Sequence, residues 1–430
     1  MRRETYPILD VIGIGFGPSN LALAIAIEEH NEAAPGAALT AQFVERRTRF
    51  QWHPGMLLPG ATVQVSFFKD LATQRNTRSA YTFLNYLAEH GRLADFINLQ
   101  DFFPLRSEFC DYLRWAADRV SIPVEYSTEV TTVGWDGEVF EVETSDGVYR
   151  ARNLVLGSGI RAKLPAGVTS GRRVFHNHDL LTRLAELPAA RHGRYAVVGA
   201  GQSAAEVTGY LHSTTGGEVH AVFAKYGYTP ADDSPYANRI FDAATVDEYF
   251  GADPAWQARL MNYHRSTNYS AVDTALISDL YGREYSERVS GQRRLFVHGA
   301  SEITDLAETD DSATVRVVNR LTGEAVDLEC DAVIFATGFE PVPVGSLLGE
   351  LESSCHADAH GHPVLDRSYR LKTDPEITGS IFVQGNSEHS HGLTSTLLSN
   401  VAVRSGEIVG ALVGAEAAAD RAGVPASALG

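Results

Sequence analysis

Hydrophobic and polar positions along the chain repeat in one arrangement. An apolar run from Ile8 to Ile12 meets the turn Gly13-Ile-Gly15-Phe-Gly17-Pro18 and passes into a helical stretch from Asn20 through Glu29. A short apolar run, a glycine turn and a helix predict one strand-turn-helix unit of a parallel sheet. The unit recurs at Tyr195 to Val198, turns through Gly199-Ala-Gly201-Gln-Ser-Ala204 and enters a helix over Ala205 to Leu211. Each copy is followed at a distance by an antiparallel hairpin and an apolar strand ending in glycine. In the first half the hairpin runs through Val139 to Val142, turns at Asp146-Gly147 and leads to Asn153-Leu-Val-Leu-Gly157-Ser-Gly159. In the second, Thr314 to Val318 turns near Thr322-Gly323 and leads to Ala332-Val-Ile-Phe-Ala-Thr337-Gly338. From glycine turn to strand end the two separations are nearly equal, which predicts two related domains and not a short-period solenoid.

Two segments depart from this pattern. Lys69 to Trp115 carries mixed helical signals rich in aromatics, and Ser234 to Tyr285 is a largely helical insertion with Asn, Tyr and His. Neither has the form of a Rossmann crossover, so both are expected to cover the sites. Ala411 to Gly430, rich in Ala and Gly, reads as a helix end fraying into a tail. The expected fold class is α/β, with two Rossmann-like dinucleotide-binding domains and a small helical substrate-binding insertion. Residues 1–190 would form the first part of one domain, and 191–330 the second domain with its insertion at about 234–285. Residues 331–430 would return to the first domain and end in the tail.

Composition narrows the function classes. The 430 residues are 44% hydrophobic and 21% charged, as in an ordinary globular protein with two or three cores. Basic residues number 36 and acidic residues 54, a net charge of −18, which argues against nucleic acid and anionic membranes as partners. Three distant cysteines, Cys110, Cys330 and Cys355, without a Cys-x-x-Cys, write neither a disulfide framework nor a redox dithiol. Arg2 and Arg3 precede an apolar stretch broken by Asp10 and glycines, with no signal-peptidase site. No run reaches the roughly 20 apolar residues of a membrane span. A cytoplasmic location is expected.

A glycine turn between strand and helix lets backbone N–H groups approach a pyrophosphate that the helix start favours. Gly13, Gly15 and Gly17 suit this, and Pro18 is tolerated early in a helix because its missing N–H would be unpaired anyway. The next strand, Leu39 to Val44, delivers Glu45, an acid suited to a pair of ribose hydroxyls. In the second copy the strand Val219 to Phe223 ends at Ala224-Lys225 without an acid. Lys225 is either a cation for a 2′-phosphate, which favours NADP, or a solvated strand-end charge. Two such sites imply FAD reduced by NADPH, and without a dithiol the electrons go most simply to oxygen. Two other constellations are discounted. Cys355-His356-Ala-Asp358-Ala-His360-Gly-His362 has irregular spacing and reads as a loop, so no metal is expected. Gly201-Gln-Ser203-Ala-Ala205 mimics a hydrolase nucleophile elbow but sits inside the second dinucleotide unit.

Several blocks carry a family resemblance: Gly13-Ile-Gly-Phe-Gly-Pro-Ser-Asn-Leu21, Trp52-His53-Pro-Gly-Met-Leu-Leu-Pro59, Gln64-Val-Ser-Phe-Phe-Lys69-Asp-Leu71, Thr267-Asn268-Tyr-Ser270, Ala336-Thr-Gly-Phe339 and His391-Gly-Leu-Thr-Ser-Thr-Leu-Leu-Ser399. From residue 8 to about 410 the chain resembles the microbial N-hydroxylating flavoprotein monooxygenases, most closely the L-ornithine N5-monooxygenases of siderophore and peptide biosynthesis. The resemblance implies FAD contacts from Gly13, Gly15, Gly17, Pro18, Ser19, Asn20, Glu45 and Arg46. Trp52, His53 and Gln64 would lie along the flavin, Val130 would touch the adenine side through its backbone, and Gly392, Leu393, Thr394 and Ser395 would close over the flavin. NADP would meet Gly199, Gly201, Gln202, Ser203, Ala204, Lys225, Asn268, Tyr269 and Ser270.

For the substrate, the resemblance implies that Lys69 binds the amino-acid carboxylate and that Asn238, with Ile240 and Phe241, holds the α-amino end. Asn268 would bridge substrate and NADP ribose, with Leu393 and Ser395 near the reacting amine. The implied reaction is hydroxylation of L-ornithine to N5-hydroxy-L-ornithine through a C4a-hydroperoxyflavin, for siderophore or hydroxamate and N–N peptide biosynthesis. L-lysine and putrescine are the alternative substrates. Only the neutral amine carries the attacking lone pair, and an apolar wall of Phe67, Phe68 and Leu393 would favour it, with no carboxylate evident from the sequence to oppose it. A homotetramer or dimer is implied as well. The chain departs from the family at Val63, where many relatives have methionine, and at Ala224, where many have arginine, leaving Lys225 as a partial substitute. From other classes, a nucleotide sensor or an α/β hydrolase are the rival readings.

Overall fold

The structure, a computed structural model, describes residues 5–422. The chain opens with β1 (Thr5–Ile14), α1 (Pro18–Ala33) and β2 (Ala41–Glu45), then forms the helices α2 (Phe83–Glu89), α3 (Leu93–Leu99) and α4 (Arg106–Ala117). It returns through β3 (Val124–Tyr126), β4 (Val130–Trp135), β5 (Phe140–Thr144) and β6 (Val148–Leu156). A short β7 (Ile160–Ala162) and β8 (Val174–His176) lead through α5 (Leu180–Glu186) to β9 (Arg194–Val198), α6 (Gln202–Thr214) and β10 (Glu218–Val222). The helices α7 (Ala243–Phe250), α8 (Pro254–Asn268) and α9 (Thr274–Ser290) follow. Next come β11 (Leu295–His298), β12 (Ser301–Glu308), β13 (Ala313–Asn319), β14 (Ala325–Cys330), β15 (Ala332–Phe335) and β16 (Phe339–Pro341). The last elements are α10 (Gly345–Leu348), β17 (Ser380–Val383), α11 (Glu388–His391) and α12 (Val401–Ala422).

The first sheet has the order β3-β2-β1-β6-β5-β4, parallel from β3 to β6 and then an antiparallel meander. β6 pairs along its first half with β5 and along Asn153 to Leu156 with β17, so the C-terminal segment closes back on this sheet. The second sheet has the order β11-β10-β9-β15-β8, all parallel. Its central strands read as continuous apolar runs because both faces are covered. One face carries α6 and α9 with Leu211 and Leu280, and the other packs on the three-stranded sheet through Val315 and Val317. In that small sheet Ala313, Val315 and Val317 alternate with exposed Thr314 and Arg316, the pattern of an antiparallel sheet solvated on one side.

The structure changes two expectations. Boundaries at 190 and 330 would split the second sheet, since β8 precedes the first and β15 follows the second. The three-residue β8 has no glycine turn of its own, so the sequence pattern did not reveal its sheet. The helical insertion also ends in a crossover: α9 buries Leu280 against α6 and leads directly into β11, which pairs with β10. A ribbon of β7 and β16 joins the two sheets, with Phe339 opposite Ala162. α1 is apolar on every side and fully enclosed from Asn20 to Ile27, between its sheet and the aromatic core of α2, α3 and α4. That core packs Phe67, Phe83, Phe96 and Phe109 ring against ring, mostly tilted or edge to face.

Candidate active site

The first glycine turn lies where β1 hands over to α1. Gly15 has a φ of +83° and its missing Cβ would fall 2.6 Å from the Gly157 carbonyl oxygen, so strand β6 holds the turn at glycine. Gly17 is different. It has an extended backbone that any residue adopts, and a Cβ there would meet no protein atom. Open space in front of a helix start, with its unpaired N–H groups, suits the approach of a phosphate. Glu45 at the end of β2 accepts from the N–H of Phe16 at 2.8 Å and of Arg47 at 2.9 Å, which fixes an acid beside the same turn. These features fit the FAD expectation. Arg46 is exposed beside it, and Val130 opens β4, partly buried.

Asn20 has a different part from the contact role implied for it. Its side chain is fully enclosed and donates to the carbonyls of Gly15 at 2.7 Å and Ile14 at 3.3 Å, so it shapes the turn from behind. Ser19 remains at the helix start, partly exposed.

Trp52 and His53 lie on the segment between β2 and the aromatic helices. His53 sits in the left-handed region at φ 46°, its ring near Trp52, His178 and Phe339. Burial, with the nearby charges of His178, Arg106 and Arg47, pushes its pKa down to about 4, so the ring is neutral near pH 7. Gln64 is exposed and donates to Thr62 Oγ1 at 3.2 Å.

The second turn opens onto a cleft of about 1970 Å³. Its walls include Gly199, Gly201, Gln202, Ser203, Lys225, Asn268, Tyr269 and Ser270, and from the C-terminal segment Glu388, Thr396 and Leu397. Gly199 has a φ of +141° and a Cβ there would lie 2.4 Å from the Ala336 carbonyl. Lys225 Nζ donates to Thr229 Oγ1 at 2.8 Å and to the Ser270 carbonyl at 2.7 Å, which holds the cation at the rim. Ala204 faces the core with no exposure and does not line the cleft. These walls suit NADP. The residues of the first turn, with Trp52, His53 and Gln64, lie outside them.

Lys69 follows a tight turn whose N–H to the Ser66 carbonyl measures 2.8 Å, and buried Asp70 pins the segment by accepting from Thr73 and Phe83. Its ammonium is half-buried, 5.7 Å from the centre of the Phe241 ring, and makes no hydrogen bond or ion pair with a described residue. Burial lowers its pKa, partly offset by Asp242. Lys69 and the turn Ala237–Phe241, far apart in sequence, thus meet at one corner. Asn238 is exposed there and donates to the Asp233 carbonyl at 2.9 Å. Ile240, Gly392, Leu393 and Thr394 share a small crevice with Tyr249 and Met261, and these last two also line the large cleft. Ser395 is buried and its hydroxyl donates to the Gly392 carbonyl at 2.6 Å, which leaves oxygen lone pairs and not the proton for a ligand.

Two expectations change here. Phe68 is 43% exposed, while Phe67, Phe241 and Leu393 are each buried. A carboxylate does enter the cleft: Glu388 accepts a hydrogen bond from the Tyr269 hydroxyl, and burial pushes its pKa up. Sequence reading also missed Arg404, Gln384 and the Arg106 to Glu206 pair. For Arg404 a signal existed, a lone cation on the face of α12 that carries Val401, Ile408 and Leu412 into the core. Among the described residues no group of three or more His, Cys, Asp or Glu is placed to hold a metal ion. Asp358 of the histidine loop accepts from the N–H groups of His360 and His362.

The family described as L-lysine 6-monooxygenase/L-ornithine 5-monooxygenase matches by its sequence profile over residues 7–341. The chain belongs to this family. It is 36% identical over 424 residues to the L-ornithine N(5)-monooxygenase of Pseudomonas aeruginosa, covering 95% of this chain and 94% of the relative. Among solved structures it is similar to the ornithine N-hydroxylase of Kutzneria sp. 744 with reduced FAD, NADP+ and L-ornithine, at 44% identity and a TM-score of 0.90, covering 94% of this chain and 99% of that one. It is also similar to the L-lysine 6-monooxygenase of Pseudomonas syringae, at 34% identity and a TM-score of 0.83, covering 95% and 99%. The fold of the family, two dinucleotide-binding units with a helical insertion, is the fold described above.

Proposed function

We propose that this family member is an FAD-dependent monooxygenase that uses NADPH and oxygen to convert L-ornithine to N5-hydroxy-L-ornithine, for siderophore or other hydroxamate and N–N peptide biosynthesis. The observation that carries the substrate assignment is Lys69, a half-buried ammonium with no anionic partner bonded to it among the described residues, facing the insertion. An amino-acid carboxylate supplies the missing partner, and a compact cation in a partly desolvated corner binds it well. The sheet of β1 is the FAD unit and the sheet of β9 the NADPH unit.

FAD, when bound and reduced by NADPH, supplies the activated oxygen. The remaining tasks belong to the chain. Lys69 anchors the carboxylate, and Asn238, with Ile240 and Phe241, receives the α-amino end. The side-chain amine, with an ordinary pKa near 10.4, must shed its proton to react, and the apolar surfaces of Phe67, Phe241 and Leu393 favour the neutral form by desolvation. Asn268, with a donor and an acceptor, bridges the substrate and the NADP ribose from the cleft wall. Leu393 and Ser395, both buried, exclude water from the reacting end.

No helix among the described residues is long and apolar enough to cross a membrane, and a cytoplasmic setting suits the charge and the cysteines. Tyr281, Tyr285 and Val289 stand exposed at successive turns of α9, a stripe that self-association as a tetramer or dimer covers. The test is the yield of hydroxylamine per NADPH oxidised by the FAD-loaded chain in air with L-ornithine. Near-stoichiometric product supports the proposal, and NADPH consumed with hydrogen peroxide as sole product contradicts it.

A further inference from the structure

Arg404 is a fully enclosed guanidinium, 2% exposed, on the first turn of α12. Its three hydrogen bonds all go to neutral acceptors. Nη1 donates to the Ser395 carbonyl at 2.6 Å, Nε to Gln384 Oε1 at 3.2 Å and Nη2 to Ser19 Oγ at 3.3 Å. The face of Tyr369 lies 5.9 Å away. Among the described residues Arg404 forms no ion pair, and Glu407 of the same helix is committed to Arg367 at 2.8 and 3.1 Å.

A cation removed from water without an anion is costly, and polar neutral partners offset only part of that cost. The cost rises because of where Arg404 points. Ser19 is the second residue of α1, so the guanidinium and the positive end of the helix dipole converge on one place. Glu407, the carboxylate that acts on Arg404 electrostatically, is hydrogen-bonded to Arg367, and among the described residues no ion pair of Arg404 balances the guanidinium. A diphosphate at the β1 to α1 turn would balance both, which also accounts for the open space in front of Gly17.

The hydrogen-bond chain adds a second consequence. Gln384 Nε2 donates to the Ser19 carbonyl at 3.2 Å and to Asn20 Oδ1 at 3.1 Å, and Asn20 in turn holds the Gly15 carbonyl. Arg404 therefore links the glycine turn on one side to the 393–396 turn on the other. Because the Ser19 oxygen accepts from Arg404, the hydroxyl proton is left to donate to a ligand.

We propose that Arg404 is the buried counter-charge of the FAD diphosphate and the positioning residue that couples its binding to the Gly392 to Ser395 loop. This rests on the reading of the β1 to α1 turn as the FAD site. The test is a fluorescence titration of the apoprotein with FAD, and with ADP in competition, for the wild type, Arg404→Lys and Ser19→Ala. Arg404→Lys keeps a charge but cannot span three acceptors, and the expected result is FAD and ADP affinities weakened by the same factor, about tenfold or more. A merely structural arginine would lower the melting temperature of the apoprotein and leave the ADP affinity of the folded fraction unchanged, which overturns the proposal. FAD weakened with ADP untouched also overturns it, since the effect then lies at the flavin end. If Arg404→Lys fails to fold, Ser19→Ala decides: equal losses for FAD and ADP support the coupling, and unchanged affinities refute it. A wild-type chain that binds neither FAD nor ADP would instead remove the reading of the turn, and the inference with it.

Discussion

Arg106, which opens α4, and Glu206, within α6, meet in two hydrogen bonds of 2.9 and 2.8 Å. Both side chains are largely buried. The same guanidinium donates to the carbonyls of Met56 and Thr62, which lie within the segment between His53 and Gln64. Gln202 of the second glycine turn donates to Glu206 at 3.1 Å. One carboxylate thus ties the segment proposed to lie along the flavin to the turn proposed for NADP.

Breaking this pair from one side leaves a buried charge without its partner. Arg106→Met is expected to lower the unfolding free energy by about 3 to 5 kcal/mol in urea. The double change Arg106→Met with Glu206→Leu is expected to recover most of that loss. A double variant no more stable than the single one would show that the pair does not act as a unit.

Lys225 is held at the rim of the large cleft by Thr229 and the Ser270 carbonyl. If it reads the 2′-phosphate, Lys225→Ala raises KM for NADPH about tenfold and leaves KM for NADH unchanged, so the preference between the nucleotides narrows by that factor. An unaltered preference assigns Lys225 to bracing the 225–229 loop against Ser270 alone.

His176 gives a pH dependence with a definite sign. Its Nε2 bonds to the Gly338 carbonyl at 2.8 Å and its Nδ1 accepts from the His178 N–H at 3.1 Å, an arrangement that fits only the neutral ring. Burial pushes its pKa from 6.5 to about 4. Between these values the unfolded chain takes up a proton that the folded chain does not, so stability is full above pH 6.5 and declines as the pH falls to 4. The slope for one such group is about 1.4 kcal/mol per pH unit at most. His176→Gln keeps a donor for Gly338 and removes this share from unfolding curves taken between pH 4 and 7. His53, His220 and His391, buried and likewise pushed to about 4, contribute slope of the same sign in the same range.

The paired glycine turns, their following strands and the hairpins were legible in the sequence because parallel strands and tight turns impose local patterns at Gly15, Gly199 and Val333. What escaped was non-local. β8 is three residues long and gains its place only by pairing with β15. α9 looked like insertion because its weak amphipathicity does not show that Leu280 meets α6. In the site, Lys69 and Phe241 were named from family resemblance, but their meeting depends on a loop pinned by Asp70. Asn20 acts through the Gly15 carbonyl behind its own turn, and Arg404 through the Ser395 carbonyl and the hydroxyl of distant Ser19, roles that residue type alone does not disclose.

In the proposed function Lys69 selects an amino acid by its carboxylate. The most direct measurement is hydroxylamine formed by the wild type and by Lys69→Ala from L-ornithine, L-lysine and putrescine, with FAD, NADPH and oxygen. A charge-assisted contact in a partly buried site corresponds to a ten- to hundredfold effect. The wild type should favour L-ornithine over both rivals. In Lys69→Ala, KM for L-ornithine should rise by that factor while the already poor turnover of putrescine stays the same. Equal product from L-ornithine and putrescine in the wild type, or an unchanged KM for L-ornithine in Lys69→Ala, would contradict it.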